Sequence, residues 1–153
     1  MDKFEAIQKR GIKWVFGEDF SCYSKHEYFE KLRRLDILPL SEKFDLNDLV
    51  LFHRILYKPS EFLSFPSYLI QNSNATVPND QRQTRSTSSA DRLQFSCTIS
   101  PRVDAFADSF FHRSHKKWNT LPLDIRDVAD PHVFKSNLKA HLWSVAEEKY
   151  CND

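Results

Sequence analysis

The chain has 153 residues, 41% hydrophobic and 14% aromatic, which is enough apolar matter for one ordinary core and argues against global disorder. Lys and Arg total 22 against 21 Asp and Glu, so the net charge of +1 excludes bulk attraction to a polyanion and leaves any nucleic-acid role to local clusters. Cys22, Cys97 and Cys151, an odd number at wide spacing, suit free thiols in a reducing compartment better than a disulfide framework. With no apolar run of signal-peptide length at the N-terminus and no uncharged stretch near the ~20 residues of a membrane span, the expectation is a soluble intracellular protein without a membrane partner.

Residues 2 to 16 read as an amphipathic helix. Phe4, Ile7, Trp14 and Val15, with Gly11 between them, form its inward stripe, while Lys9 and Lys13 point away and Gly17 is a stop. From Lys25 to Leu38 a second helix turns Tyr28, Leu32 and Leu35 to one face, and Pro39 ends it. Ser41 can cap a third, which carries Phe44, Leu49, Phe52, Ile55 and Leu56 inward and stops at Pro59. Residues 71 to 90 are polar and rich in Ser, Thr, Asn and Gln, the composition of a loop or disordered bridge.

Beyond the bridge, Leu93, Phe95, Cys97 and Ile99 alternate with polar residues at the period of a half-buried strand, for which Glu61–Ile70 is the candidate partner. Phe106, Phe110, Phe111 and Trp118 recur at helical spacing, and the Leu121-Pro122 pair forces an extended corner. Asp130-Pro131, a capping carboxylate before a first-turn proline, starts the last helix, whose buried stripe is Phe134, Leu138, Leu142 and Val145. The sum is a mainly α fold of about five helices, with a small strand or hairpin between the third and fourth. It reads as a single domain over 1–153: N-terminal helices to 70, a bridge over 71–90, then the strand and C-terminal helices over 91–153.

Phe106-Ala107-Asp108-Ser109 resembles the aromatic-x-Asp-Asp of a polymerase metal site but has Ser where the second carboxylate is needed. Two-metal nucleotidyl transfer requires paired carboxylates, so no catalytic residue is assigned. Asp104, Asp108, His112 and His115, at spacings of four, four and three, would share one face of a continuous helix, and a metal-dependent enzyme is the weaker alternative they suggest. With only Gly11 and Gly17, a Gly-rich phosphate loop is excluded. Basic residues cluster at Arg113, Lys116 and Lys117, while Arg82, Arg85, Arg92 and Arg102 punctuate the bridge and the strand. Such groups contact phosphates and release counterions, and they also serve as ordinary solvated surface.

The order Phe110-Phe111-His112-Arg113, Trp118-Asn119-Thr120-Leu121-Pro122, then Phe134-Lys135 with Leu138 joins an aromatic helix, a fixed corner and a capped helix. Upstream stand Ile7-Gln8-Lys9-Arg10 with Lys13-Trp14, the helix from Tyr28 to Leu38, and Asp48-Leu49 with Tyr57-Lys58. Together these resemble the C-terminal, post-thumb region of reverse transcriptases encoded by non-long-terminal-repeat (LINE-type, jockey-like) retrotransposons. The resemblance implies a parent RNA-directed DNA polymerase whose catalytic palm, with its magnesium, lies upstream of this segment, so no cofactor is expected here. It implies a non-catalytic module that binds RNA or single-stranded DNA through Arg82, Arg85, Arg102, Arg113, Lys116 and Lys117, or that scaffolds the polymerase portion of the parent. A protein-interaction domain, or an inert remnant of the element, is the alternative.

Overall fold

The computed structural model describes residues 2–17, 24–59, 64–72, 93–100 and 102–151, and is mainly helical. Among them run α1 (Asp2–Phe16), α2 (Lys25–Arg34), α3 (Leu40–Tyr57), β1 (Leu69–Gln71), β2 (Phe95–Cys97), α4 (Asp104–Ala107), α5 (Phe110–Thr120), α6 (Leu123–Arg126) and α7 (Pro131–Cys151). Five of the helices answer to the five expected. The other two, α4 and α6, are single turns of four residues. Residues 73–92, which hold most of the polar bridge, lie outside the described residues.

The contacts gather into two units, residues 1–47 with 135–153, and residues 48–134, so that α3 and α7 each divide their residues between them. In the first unit Ile12, Tyr28, Phe29, Leu32, Ala146 and Tyr150 form the core, with Phe16, Leu35 and Trp143 against it. Phe29 stacks on Tyr150 at 5.6 Å and meets Trp143 edge-on at 5.7 Å. Val145, expected inside, is exposed, and Ala146 takes the inward position.

Helix α2 begins with a capping box in which Ser24 Oγ accepts from the Glu27 N–H at 3.1 Å and Glu27 Oε2 accepts from the Ser24 N–H at 3.0 Å. Its end corrects the expectation. The helix stops at Arg34, well before Pro39, because Asp36 turns to φ 53°, the Asp36 N–H reaches Arg33 O (3.1 Å) and the Ile37 N–H reaches Leu32 O (3.0 Å). These are the two hydrogen bonds of a Schellman ending, with Asp in the left-handed position that glycine usually holds.

The expected inward stripe of α1 is also overturned. Phe4, Ile7, Trp14 and Val15 are exposed, and the helix turns Glu5, Gln8 and Ile12 to its core instead. Tyr28 Oη lies 2.9 Å from Glu5 Oε1 and 2.8 Å from Gln8 Oε1, while the Tyr150 hydroxyl donates to Glu5 Oε1 at 3.1 Å and the Leu40 N–H to Glu5 Oε2 at 3.3 Å. A half-buried carboxylate with this many donors is compensated for leaving water. Burial, with the Glu5 charge second, pushes both phenols above their ordinary range. Lys9, expected to point away, sits over the Tyr28 ring at 5.0 Å.

In the second unit Leu49, Phe52, Ile55, Leu69, Phe95, Trp118, Leu121, Ile125 and Phe134 are buried. Phe44 of α3, expected inside, is exposed, whereas His53 is buried with its ring stacked on Phe134 at 4.0 Å and its Nε2 2.7 Å from Val128 O. Ser41 lies inside the first turn of α3 and is not its cap, since the helix starts one residue earlier. Strands β1 and β2 pair antiparallel with Leu69 opposite Cys97, Ile70 opposite Ser96 and Gln71 opposite Phe95. The partner of β2 thus comes from the far end of the expected window and runs past it. Alternation holds only in part, since Phe95 is buried but Ile99 is exposed.

Candidate nucleic-acid interface

Helix α5 is divided lengthwise. His112, Ser114, His115 and Trp118 are buried on one side, and Arg113, Lys116, Lys117 and Thr120 share the other at helical spacing. The buried side is held to the strand by the Trp-Asn pair at the helix end. Trp118, 0% exposed, donates from Nε1 to Leu93 O at 2.7 Å and packs its ring 5.2 Å from Phe52 and 5.7 Å from Phe134. The Asn119 side chain accepts from the Phe95 N–H at 2.9 Å and donates to Phe95 O at 2.7 Å.

Since β2 bonds to β1 through Gln94 and Thr98, the Phe95 groups belong to the other edge of the strand, and Asn119 satisfies them as a third strand would. Leu121 then turns extended (φ −66°, ψ 144°) before Pro122 and is itself buried, the expected corner. Helix α7 opens as expected, with Asp130 Oδ1 accepting from the N–H groups of His132 (2.8 Å) and Val133 (2.9 Å). Those two bonds hold the Asp130 carboxyl below its ordinary value. Phe110 and Phe111 are half-buried, with Phe111 6.1 Å from Phe65, and Leu138 is fully buried in the first unit.

The Arg113 guanidinium is forked onto Asp48, Nε at 2.6 Å from Oδ2 and Nη2 at 3.2 Å from Oδ1, and its Nη1 donates to Asp108 O at 2.7 Å. It therefore ties α5 to α3 and to the turn after α4, and much of its charge is answered within the protein. Lys116 is exposed and Lys117 half-buried on the same outward side, and Arg102 is exposed ahead of α4. Arg82, Arg85 and Arg92 lie outside the described residues.

The four residues of the metal alternative do not share a helix face. A break at Asp108 and Ser109 separates α4 from α5, with Asp104 and Asp108 exposed and both histidines buried. His112 Nδ1 lies 3.6 Å from Cys97 Sγ, and His115 Nδ1 lies 3.1 Å from Phe111 O. Among the described residues no group of three or more His, Cys, Asp or Glu is placed to hold a metal ion. Burial first, then the Lys116 and His115 charges, keep the His112 imidazole below its usual value.

Helical spacing marks Trp118 in the sequence, but nothing there gives Asn119 a partner. His53 and the Cys97–His112 contact are not marked at all, because each depends on a residue 15 or more positions away. Among the described residues no helix is long and apolar enough to cross a membrane. Comparison with family models, with curated proteins and with solved structures finds no match to this chain.

Proposed function

We propose that this chain is a non-catalytic module that binds RNA or single-stranded DNA, of the kind that lies C-terminal to the polymerase palm in the retrotransposon reverse transcriptases its motifs resemble. The observation that carries the reading is the division of α5. Its inner side is fixed by Trp118 and Asn119, and its outer side presents Lys116 and Lys117 beside an Arg113 already anchored to Asp48. Two ammonium groups on a rigid helix contact phosphates without reading bases, so the binding is weak and independent of sequence. Arg102, exposed ahead of α4, and Arg82 and Arg85 of the polar stretch are further cations in the sequence for the same backbone. Magnesium chemistry belongs to the palm of such an enzyme. The role of this chain is to hold nucleic acid or to scaffold the polymerase portion.

Fluorescence anisotropy with a labelled single-stranded RNA at two salt concentrations tests the reading. Affinity is expected to fall steeply with salt, by roughly 0.7 log units per decade for each phosphate contacted. The Lys116→Ala, Lys117→Ala double variant should bind more weakly while melting as the wild type does. Unchanged binding in that variant would remove α5 as the contact surface.

A further inference from the structure

Helix α1 exposes an apolar face that its own unit leaves uncovered: Phe4 is 60% exposed, Ile7 65%, Trp14 82% and Val15 65%. An indole held that far into water on a helix, in line with three other apolar side chains, marks a contact surface. Gly11 sits in the middle of the stripe. A mid-helix glycine costs about 1 kcal/mol relative to alanine, and nothing local requires it, since its φ is not positive and a Cβ there would meet nothing within 4 Å.

Four of the five stripe positions are symmetric about position 9; Val15, whose mirror is Lys3, is not. Phe4 and Trp14 stand five residues either side, and Ile7 and Gly11 two residues either side. We propose that this face pairs with a second copy of the chain, α1 against α1 antiparallel, crossing near Lys9. Two-fold symmetry then sets Ile7 of each copy into the gap left by Gly11 of the other and Phe4 against Trp14, each contact made twice. The glycine lets the two backbones come close at the crossing, which is the use the isolated helix lacks.

The four exposed side chains offer roughly 500 Å² per copy, about 1,000 Å² for the pair, the lower limit for a specific interface. The dimer is therefore weak and concentration-dependent. Arg10 is exposed on one flank of the stripe and lies close to the axis, so the pair brings two like charges together. Salt screens that repulsion, and self-association rises with ionic strength. This is opposite to the salt dependence of nucleic-acid binding through α5 and independent of it.

Sedimentation velocity of the full chain across a broad micromolar range, at low and high salt, tests the proposal. The expected result is a monomer–dimer equilibrium that tightens with salt. Trp14→Glu should weaken it on the order of 30-fold or more, as loss of a well-packed aromatic anchor does. Gly11→Leu should also abolish the dimer, while circular dichroism shows helix content unchanged or higher, since leucine is the better helix former. A monomer at every concentration, or a dimer indifferent to both substitutions, would overturn the proposal. So would binding of the wild type, but not Trp14→Glu, to phosphatidylserine vesicles without self-association, which would assign the face to a membrane surface.

Discussion

The side-chain amide of Asn119 bonds both backbone groups of Phe95, taking its N–H at 2.9 Å and giving to its carbonyl at 2.7 Å. The amide offers a donor and an acceptor on two separate atoms, whereas a carboxylate has no donor and an aliphatic side chain has neither group. Asn119→Leu should leave two partly buried backbone groups unpaired and cost on the order of 2 kcal/mol or more. Asn119→Asp keeps the acceptor but sets a charge against the Phe95 carbonyl, and should be destabilising as well. Hydrogen exchange at the Phe95 amide gives the local reading: protected in the wild type, fast in Asn119→Leu. Equal protection in both would mean that the side chain is not what holds this edge.

A second prediction concerns His53. Burial holds its imidazole below the ordinary value of about 6.5, against the smaller opposing pull of the Val128 carbonyl and Asp130. The unfolded chain therefore binds protons more readily than the folded one near that pH. The stabilising effect is complete above about pH 7.5 and is lost as pH falls through 6.5 toward the lower folded value. His53→Gln keeps an N–H donor without a titration, so its melting temperature should fall less between pH 8 and pH 5.5 than the wild type's. His112, shifted the same way, leaves part of the slope in place. Equal falls in both proteins would show that His53 does not set the dependence.

Asp36 supplies a third. At φ 53° it occupies a conformation that costs most residues 1–2 kcal/mol, though Asp bears it better than a β-branched side chain does. Its ion pair with Lys139, at 2.5 Å, is largely exposed and contributes little. Asp36→Gly should therefore stay within about 1 kcal/mol of the wild type in urea unfolding, while Asp36→Val should lose about 1–3 kcal/mol. A valine variant as stable as the glycine one would place the end of α2 elsewhere.

These three sites mark where the sequence is legible and where it is not. Helix type, the Leu121-Pro122 corner and the Asp130 cap are written in local spacing, and each stands where the spacing puts it. Which face of α1 turns inward is not local. An apolar stripe of four residues loses to Glu5 and Gln8 because Tyr28 and Tyr150 are there to receive them, and no property of residues 2 to 16 announces that. The end of α2 is hidden for a different reason, since Asp stands where glycine would have signalled the turn. The clustering of Arg113, Lys116 and Lys117 is local and visible in the sequence, whereas the engagement of Arg113 depends on Asp48, 65 residues away.

Trp118 anchors the Trp-Asn corner and is not placed as a base-stacking platform. Its ring is fully buried against Phe52 and Phe134, and its indole N–H is bound to Leu93. Urea unfolding of Trp118→Ala should show a loss of about 3–5 kcal/mol, against less than about 0.5 kcal/mol for Lys116→Ala, exposed on the outward side of α5. A Trp118→Ala variant that unfolds at the wild-type urea midpoint would contradict the account, because an indole whose removal costs nothing cannot be holding the corner together.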